Sequence, residues 1–522
     1  MQGLFMPGLF TKALFMKSLR SVSSALFLGA FACSSVLAAE TDTSVLITNA
    51  LIVDGSGAEA YSGSVRISSG RISDVGTLSP NEGETIVNAK GLALAPGFID
   101  THSHHDRGLS ESRDALPMLT QGITTSVFGQ DGDYEYPLAS FVGAYRDNPA
   151  AINVASYVGH NTIRSKIMGD AEKNPATPAQ IAAMEELLQS ELESGALGLS
   201  TGLEYEPGIY SETSEVIALA QLTADAGGRY ISHIRSEDRW LWESVDEIIE
   251  IGRVTGMPVQ VSHMKLAAKG LWGDGEKLIE KLEAARAEGI DVTADVYPYE
   301  YWASTMWVLL PDRDPDNLEE IAFVLEELTP ADGIIFTDFK PNPEYVGMSV
   351  QDISALRGTN DIKTFSDLLK EADAWEAEHP GEYAESIMGR SMHEDDIATF
   401  LAWEHSNICS DGGYTGHPRG HGAFPRVLGR YVRERNVLSL EKAVEAMTSR
   451  AAKHMGITNR GLIEPGYQAD LVLFDPDTIT DTATLENGQS QSVGVQAVWV
   501  NGVAVYRDGR STSARPGMVI TP

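Results

Sequence analysis

Gly91-Leu-Ala-Leu-Ala-Pro-Gly-Phe-Ile-Asp-Thr-His-Ser-His-His-Asp106 is the stretch on which the fold turns. The apolar run Leu92 to Ile99 reads as a buried strand broken at Pro96-Gly97, and it ends in His102 and His104. Side chains two apart along a strand point to one face, so both imidazoles are expected to point the same way. Neutral imidazole is the commonest side-chain metal ligand, and two on one face supply half of a tetrahedral shell. A His-x-His pair also arises by chance on surfaces, so its meaning depends on further ligands downstream.

Those ligands recur with a βα rhythm. Thr177-Pro178-Ala179-Gln180 is a helix start, with Thr as N-cap, Pro in the first turn and Gln reaching back. The helix it opens is expected to stop at Gly195, before a buried strand at 196–200. Helices near 214–226, 240–254 and 275–287 each lead through a glycine to a strand, at 229–234, 259–264 and 290–296. Strand ends thus recur about every 30 residues, the length of one βα unit. Repeated over some 300 residues, the pattern predicts an α/β fold with a (β/α)8 TIM-like barrel, whose active site gathers at the C-terminal strand ends. His233, His263 and Asp411 fall at such ends, with His102 and His104 at another. An Asp before Gly-Gly is ordinarily turn chemistry and a lone His a structural donor; the shared placement points to a metal site.

The two ends of the chain read differently. Short β-rich runs at 44–53, 64–67 and 71–75 are matched by 469–474, 495–500 and 503–506, with Asn501-Gly502 as a hairpin turn. Both terminal segments are expected to build one small β-sandwich, 40–95 with 456–522, around a barrel at 96–455. The rhythm fails over about 311–395, read as an insertion at the barrel mouth, a lid or decoration, with helices near 317–328 and 365–378. At 522 residues and 43% hydrophobic composition, more than one structural unit is expected.

A net charge of −35 argues against nucleic acid as a partner. In residues 1–39, Lys12, Lys17 and Arg20 precede an apolar stretch, Ala25 to Ala32, and then small residues. That is the order of an export signal, so a periplasmic or secreted protein is expected. Phe31-Ala32 before Cys33 is a poor lipobox, which favours cleavage after Ala38 or Ala39 over a lipid anchor. Cys409 would then be the one cysteine left, read as core, and no intrachain disulfide could form. No segment is long and apolar enough for a stable membrane span. Barrel enzymes often dimerise, and a homo-oligomer is compatible with the sequence.

Ala95-Pro-Gly-Phe-Ile-Asp-Thr-His-Ser-His resembles the first-strand signature of the amidohydrolase superfamily. Gly159-His-Asn-Thr-Ile-Arg, Leu199-Ser-Thr-Gly-Leu-Glu-Tyr-Glu-Pro-Gly-Ile-Tyr, Ser232-His-Ile-Arg-Ser-Glu, Ser262-His-Met-Lys and His417-Pro-Arg, with the tail from Arg460 to Phe474, narrow the likeness. Over about 43–515 the chain is similar to the D-aminoacylase (N-acyl-D-amino-acid deacylase) family. The resemblance implies one or two divalent ions, Zn2+ first, with His102, His104 and Asp411 in one subsite and His233 with His263 in the other. It also implies a metal-binding Cys after the second strand; here Asp131 stands in that place, with Glu204 a second candidate. A carboxylate can bridge two ions but is harder than thiolate and holds zinc less selectively.

The implied reaction is hydrolysis of N-acyl-D-amino acids, with a metal-activated water as nucleophile and Asp411 as general base and acid. The small-molecule substrate carries a free α-carboxylate, for which Lys265, Arg419, Tyr205 and Tyr297 are the candidates at family positions. Arg235, His160, His417 and His421 carry no assignment. D-selectivity rests on the resemblance alone. Dipeptide or cyclic-amide hydrolysis on the same site is the alternative reaction, and a non-catalytic exported binding protein the alternative of another class.

Overall fold

A computed structural model describes residues 44–522; the expected export signal at 1–39 lies outside the described residues. The strands Val45–Ile52, Tyr61–Ser68, Arg71–Gly76, Thr85–Asn88 and Ala93–Pro96 from one end of the chain join Leu471–Phe474, Val495–Val500, Val503–Arg507 and Arg510–Ser511 from the other. Together they form one nine-stranded sheet. The seam between the two ends is Ala93–Pro96 running antiparallel to Leu471–Phe474. The sheet also folds back on itself. Ile72 N donates to Tyr467 O at 2.9 Å and Ala469 N to Gly70 O at 3.0 Å. Ile47, Val65, Leu94, Leu471 and Trp499, from both ends, are buried in the core it encloses. Asn501 and Gly502 turn the hairpin between Val495–Val500 and Val503–Arg507 at φ 49° and 80°, the left-handed pair a two-residue turn demands.

The break at Pro96-Gly97 does more than interrupt a strand: it separates two structures. Ala93–Pro96 belongs to the terminal sheet, whereas Phe98–Asp100 pairs with Ile123–Phe128 in the barrel. A side chain on Gly97 would sit 2.2 Å from Thr124 Oγ1, so only glycine lets the chain pass there.

The barrel strands are β1 (Phe98–Asp100), β2 (Ile123–Phe128), β3 (in two pieces, Asn153–Ser156 and Val158–Gly159), β4 (Gly198–Gly202), β5 (Arg229–His233), β6 (Val259–Val261), β7 (Val292–Val296) and β8 (Ser406–Ile408). Each pairs in parallel with the next. β8 returns to β1 through Asp411 N donating to His102 O at 2.8 Å and His104 N to Gly412 O at 2.9 Å. Asp100 secures the same seam, accepting from Ser410 N at 2.8 Å and Ser410 Oγ at 2.6 Å. The intervening helices include Pro178–Leu192, with the expected Thr177–Gln180 capping box, then Thr213–Asp225, Leu241–Thr255 and Gly275–Ala287.

The insertion differs from its sequence reading. It begins at Tyr301 rather than near 311, and it contains a three-stranded antiparallel sheet of Tyr301–Ser304, Ile334–Phe339 and Glu385–Arg390. Helices Leu318–Phe323, Val350–Arg357 and Asp361–Glu378 pack with it. Glu385 opens the third strand, 3% exposed, with one oxygen accepting from Met306 N at 2.7 Å and the other without a partner. Burial pushes its carboxyl up to about 8 from the ordinary 4.5. The folded state therefore favours the protonated form, a contribution present below pH 4.5 and lost as pH rises through 8. Glu385→Gln is expected to melt higher than the parent at pH 9 and alike at pH 4, by differential scanning calorimetry; a pH-independent difference would contradict this origin.

Candidate metal centre

The strand ends bring the predicted residues to one place. His102 and His104 follow β1, Asp131 follows β2, His233 ends β5, His263 follows β6 and Asp411 follows β8. Asp131, His263 and Asp411 have φ of 55°, 35° and 48°, a region that non-glycine residues enter at a cost of about 1–3 kcal/mol each. Such strain persists where surroundings impose it. His263 N donates to the buried Asp295 Oδ1, and Asp411 N closes the barrel on His102 O.

Asp131 Oδ2 lies 3.3 Å from His102 Nε2 and 3.1 Å from His104 Nε2. Asp411 Oδ1 faces the same two nitrogens at 3.6 and 3.4 Å. The other oxygen of Asp131 lies 3.2 Å from His263 Nε2, and that nitrogen is 3.0 Å from His233 Nδ1. Two donor sets therefore share one carboxylate. In the first, His102, His104, Asp131 and Asp411 bring ligand atoms within 4.8 Å of one another; in the second, Asp131, His233 and His263 do so. Imidazole nitrogens and carboxylate oxygens converging from different strands fit divalent ions, with Asp131 between the subsites. Asp131 thus reaches both sets from the position where the resemblance placed cysteine. Glu204 does not stand beside it: Glu204 Oε2 lies 2.9 Å from the far nitrogen of His233, Nε2.

The charge pattern follows from this packing. Burial pushes the Asp131 carboxyl up, but His102 and His263 outweigh it and hold the group well below the usual carboxylate range. Burial likewise opposes ionisation of Asp411, and Arg419, with Nη1 2.7 Å from Asp411 Oδ2, then His263 and His104, hold it low. Glu204 is raised by its own burial and by Asp238 and Glu237.

Of the substrate-binding candidates, Lys265, Arg419 and Tyr205 line the same cavity, of about 1030 Å3, and Tyr297 is buried beside the two cations. Lys265 Nζ and the Arg419 guanidinium lie over the Tyr297 ring at 5.7 and 4.6 Å from its centroid. Both cations are buried, and Lys265 pairs with Glu237 at 2.6 Å. The Tyr205 ring packs on His233 with centroids 4.3 Å apart. The unassigned residues separate: Arg235 pairs with Glu247 and His160 with Glu215, whereas His417 lines the cavity and accepts from Arg419 N at 2.9 Å. His421 Nε2 lies 3.1 Å from Tyr414 O. Cys409 is fully buried, its thiol on Asp295. Glu237 and Asp295 went unread in the sequence; Glu237 had only its place in Ser232-His-Ile-Arg-Ser-Glu as a signal.

Comparison with known proteins shows the family. The amidohydrolase family model matches residues 85–328 and 364–506. This chain belongs to that family. The amidohydrolase is 34% identical over 502 residues to the D-aminoacylase of Alcaligenes xylosoxydans xylosoxydans, covering 91% of this chain and 97% of that protein. It is 33% identical to the N-acyl-D-glutamate deacylase of the same organism, over 91% of this chain and 96% of the relative. Among solved structures, the N-acyl-D-glutamate deacylase of Bordetella bronchiseptica superposes with a TM-score of 0.81 at 32% identity, over 92% of this chain and 99% of the other. That structure holds zinc and a phosphonate mimic of the tetrahedral intermediate.

Proposed function

We propose that this amidohydrolase cleaves the amide bond of N-acyl-D-amino acids, releasing a carboxylate and a free D-amino acid. The observation that carries the reading is the pair of donor sets joined by Asp131, in one cavity with Lys265, Tyr205 and Arg419. His102, His104, Asp131 and Asp411 would hold one divalent ion, zinc first, and Asp131, His233 and His263 a second. When bound, such an ion lowers the pKa of water toward ~7 and polarises a carbonyl.

The chain's own residues supply the rest. Asp411, kept ionised by Arg419, accepts the proton of the attacking water and returns it to the amine nitrogen, which would otherwise leave poorly. Lys265 and Arg419, both beside the Tyr297 ring, offer a point charge and a planar fork for the α-carboxylate. Handedness is supported by the relatives, both named for D-amino acids.

The cavity also speaks to the substrate's side chain. Among its described lining residues the cations are Arg107, Lys173, Lys265, Arg313 and Arg419. All five face carboxylates: Arg107 pairs with Asp133, Lys173 with Glu206, Lys265 with Glu237 and Arg419 with Asp411, and Arg313 Nε lies 4.0 Å from Glu206. Arg313 spends its donors on backbone oxygens, including Leu310 O at 2.8 Å and Glu204 O at 2.6 Å. Asp373 and Glu376 add negative charge beside an apolar wall of Trp302, Trp307 and Leu309. Burying a further carboxylate there without a partner is costly, so uncharged side chains are favoured over acidic ones. On the purified enzyme, kcat/KM for N-acetyl-D-leucine is expected to exceed that for N-acetyl-D-glutamate roughly 100-fold. Preference for the glutamate derivative would refute the assignment; turnover of dipeptides or cyclic amides alone would favour the alternative reaction.

We also propose export, supported by the basic, apolar and small-residue order of residues 1–39. N-terminal sequencing of the protein from cells is expected to start near residue 40, and an intact Met1 would contradict it.

A further inference from the structure

A neutral imidazole that ligates through one nitrogen carries its proton on the other, and that N–H needs an acceptor to fix the tautomer and ring angle. His233 and His263 both meet this condition. His233 turns Nδ1 toward His263 Nε2 at 3.0 Å and Nε2 toward Glu204 Oε2 at 2.9 Å. His263 turns Nε2 toward Asp131 Oδ1 at 3.2 Å and Nδ1 toward Glu237 Oε1 at 3.0 Å. Each ring thus points one nitrogen into the second donor set and the other at a carboxylate behind it. The first set is built otherwise: His102 Nδ1 is buried without a hydrogen-bond partner, and Asp295 Oδ2 is 3.9 Å away. Lys265 Nζ lies 2.6 Å from the same Glu237 Oε1 and 2.7 Å from His263 Nδ1, so a proton on Nδ1 directed at Glu237 requires the ammonium to turn wholly to the carboxylate.

We propose that Glu204 and Glu237 are positioning residues that set the nitrogens of His233 and His263, tune the metal affinity of that subsite alone, and through Glu237 also hold Lys265 for the substrate carboxylate. The Lys265 clause rests on the deacylase reading; the metal clause does not. Removing an acceptor behind a metal-ligating histidine costs typically about 10- to 100-fold in metal affinity.

The test strips the full-length enzyme with a chelator and titrates it with Zn2+ against a chromophoric competitor, reading stoichiometry and affinity of each equivalent. Glu204→Met and Glu237→Met keep length and remove the acceptor; Glu204→Gln and Glu237→Gln keep an uncharged acceptor. One equivalent is expected to bind as in the parent. The other is expected to weaken about 10- to 100-fold in the Met variants, with the Gln variants between. KM for N-acetyl-D-leucine is expected to rise in Glu237→Met and to hold in Glu204→Met, a split that mere loosening of the fold would not produce. Equal weakening of both equivalents, or parent-like binding of both, would overturn the proposal. Should a Met variant fail to fold, parent-like zinc binding in the matching Gln variant overturns it equally. If the parent binds zinc but turns over no N-acyl-D-amino acid, the deacylase reading and the Lys265 clause fall, while the zinc titration still decides the rest.

Discussion

Replacing Asp411 by asparagine is expected to lower kcat roughly 10³-fold while circular dichroism stays that of the parent. Asp411 Oδ1 faces His102 and His104, and Oδ2 takes the Arg419 guanidinium at 2.7 Å. An amide cannot accept the water proton at neutral pH, nor return it to the leaving amine. The fold should survive because closure of β8 on β1 uses the backbone of residue 411, and asparagine, like aspartate, tolerates the left-handed φ of 48° there. Substantial remaining turnover would remove Asp411 from the proton-transferring role.

The second large effect is expected at Asp131. One carboxylate spans His102, His104 and His263 at 3.1–3.3 Å, so Asp131→Ala withdraws a ligand from both donor sets together. Metal content by mass spectrometry should fall below that of the parent, and kcat/KM should fall by roughly 10³-fold. Asp131→Cys is the informative companion. Thiolate is softer than carboxylate, so this variant should keep metal and shift its preference toward zinc over manganese. Parent-like metal content in Asp131→Ala would show that the carboxylate is no shared ligand.

Much of this centre was legible because its parts follow local rules. His102 and His104 stand two apart after an apolar strand, and His233, His263 and Asp411 each close a βα repeat, a periodic signal readable without contacts. Asp131 was legible only through the resemblance, as a departure from an expected cysteine. Glu237 was not, because its partner nitrogen on His263 lies just past the end of the next barrel strand, and a loop residue's reach across to a neighbouring loop leaves no periodic trace. Asp295 was hidden inside Val292–Val296, where it reads as one polar break in a buried strand. The insertion sheet escaped for a related reason: Tyr301–Ser304 pairs with Glu385–Arg390 across the intervening helices, and so short a strand is recognisable only beside its partner.

The central claim is metal-dependent hydrolysis of N-acyl-D-amino acids, and amine release from paired N-acetyl-D- and N-acetyl-L-leucine tests it most directly. The purified enzyme would be assayed as prepared, after chelation, and after chelation followed by zinc. Release from the D substrate, lost on chelation and restored by zinc, with the L substrate inert, is the predicted result. Release that survives complete removal of metal, or that favours the L substrate, would contradict the account.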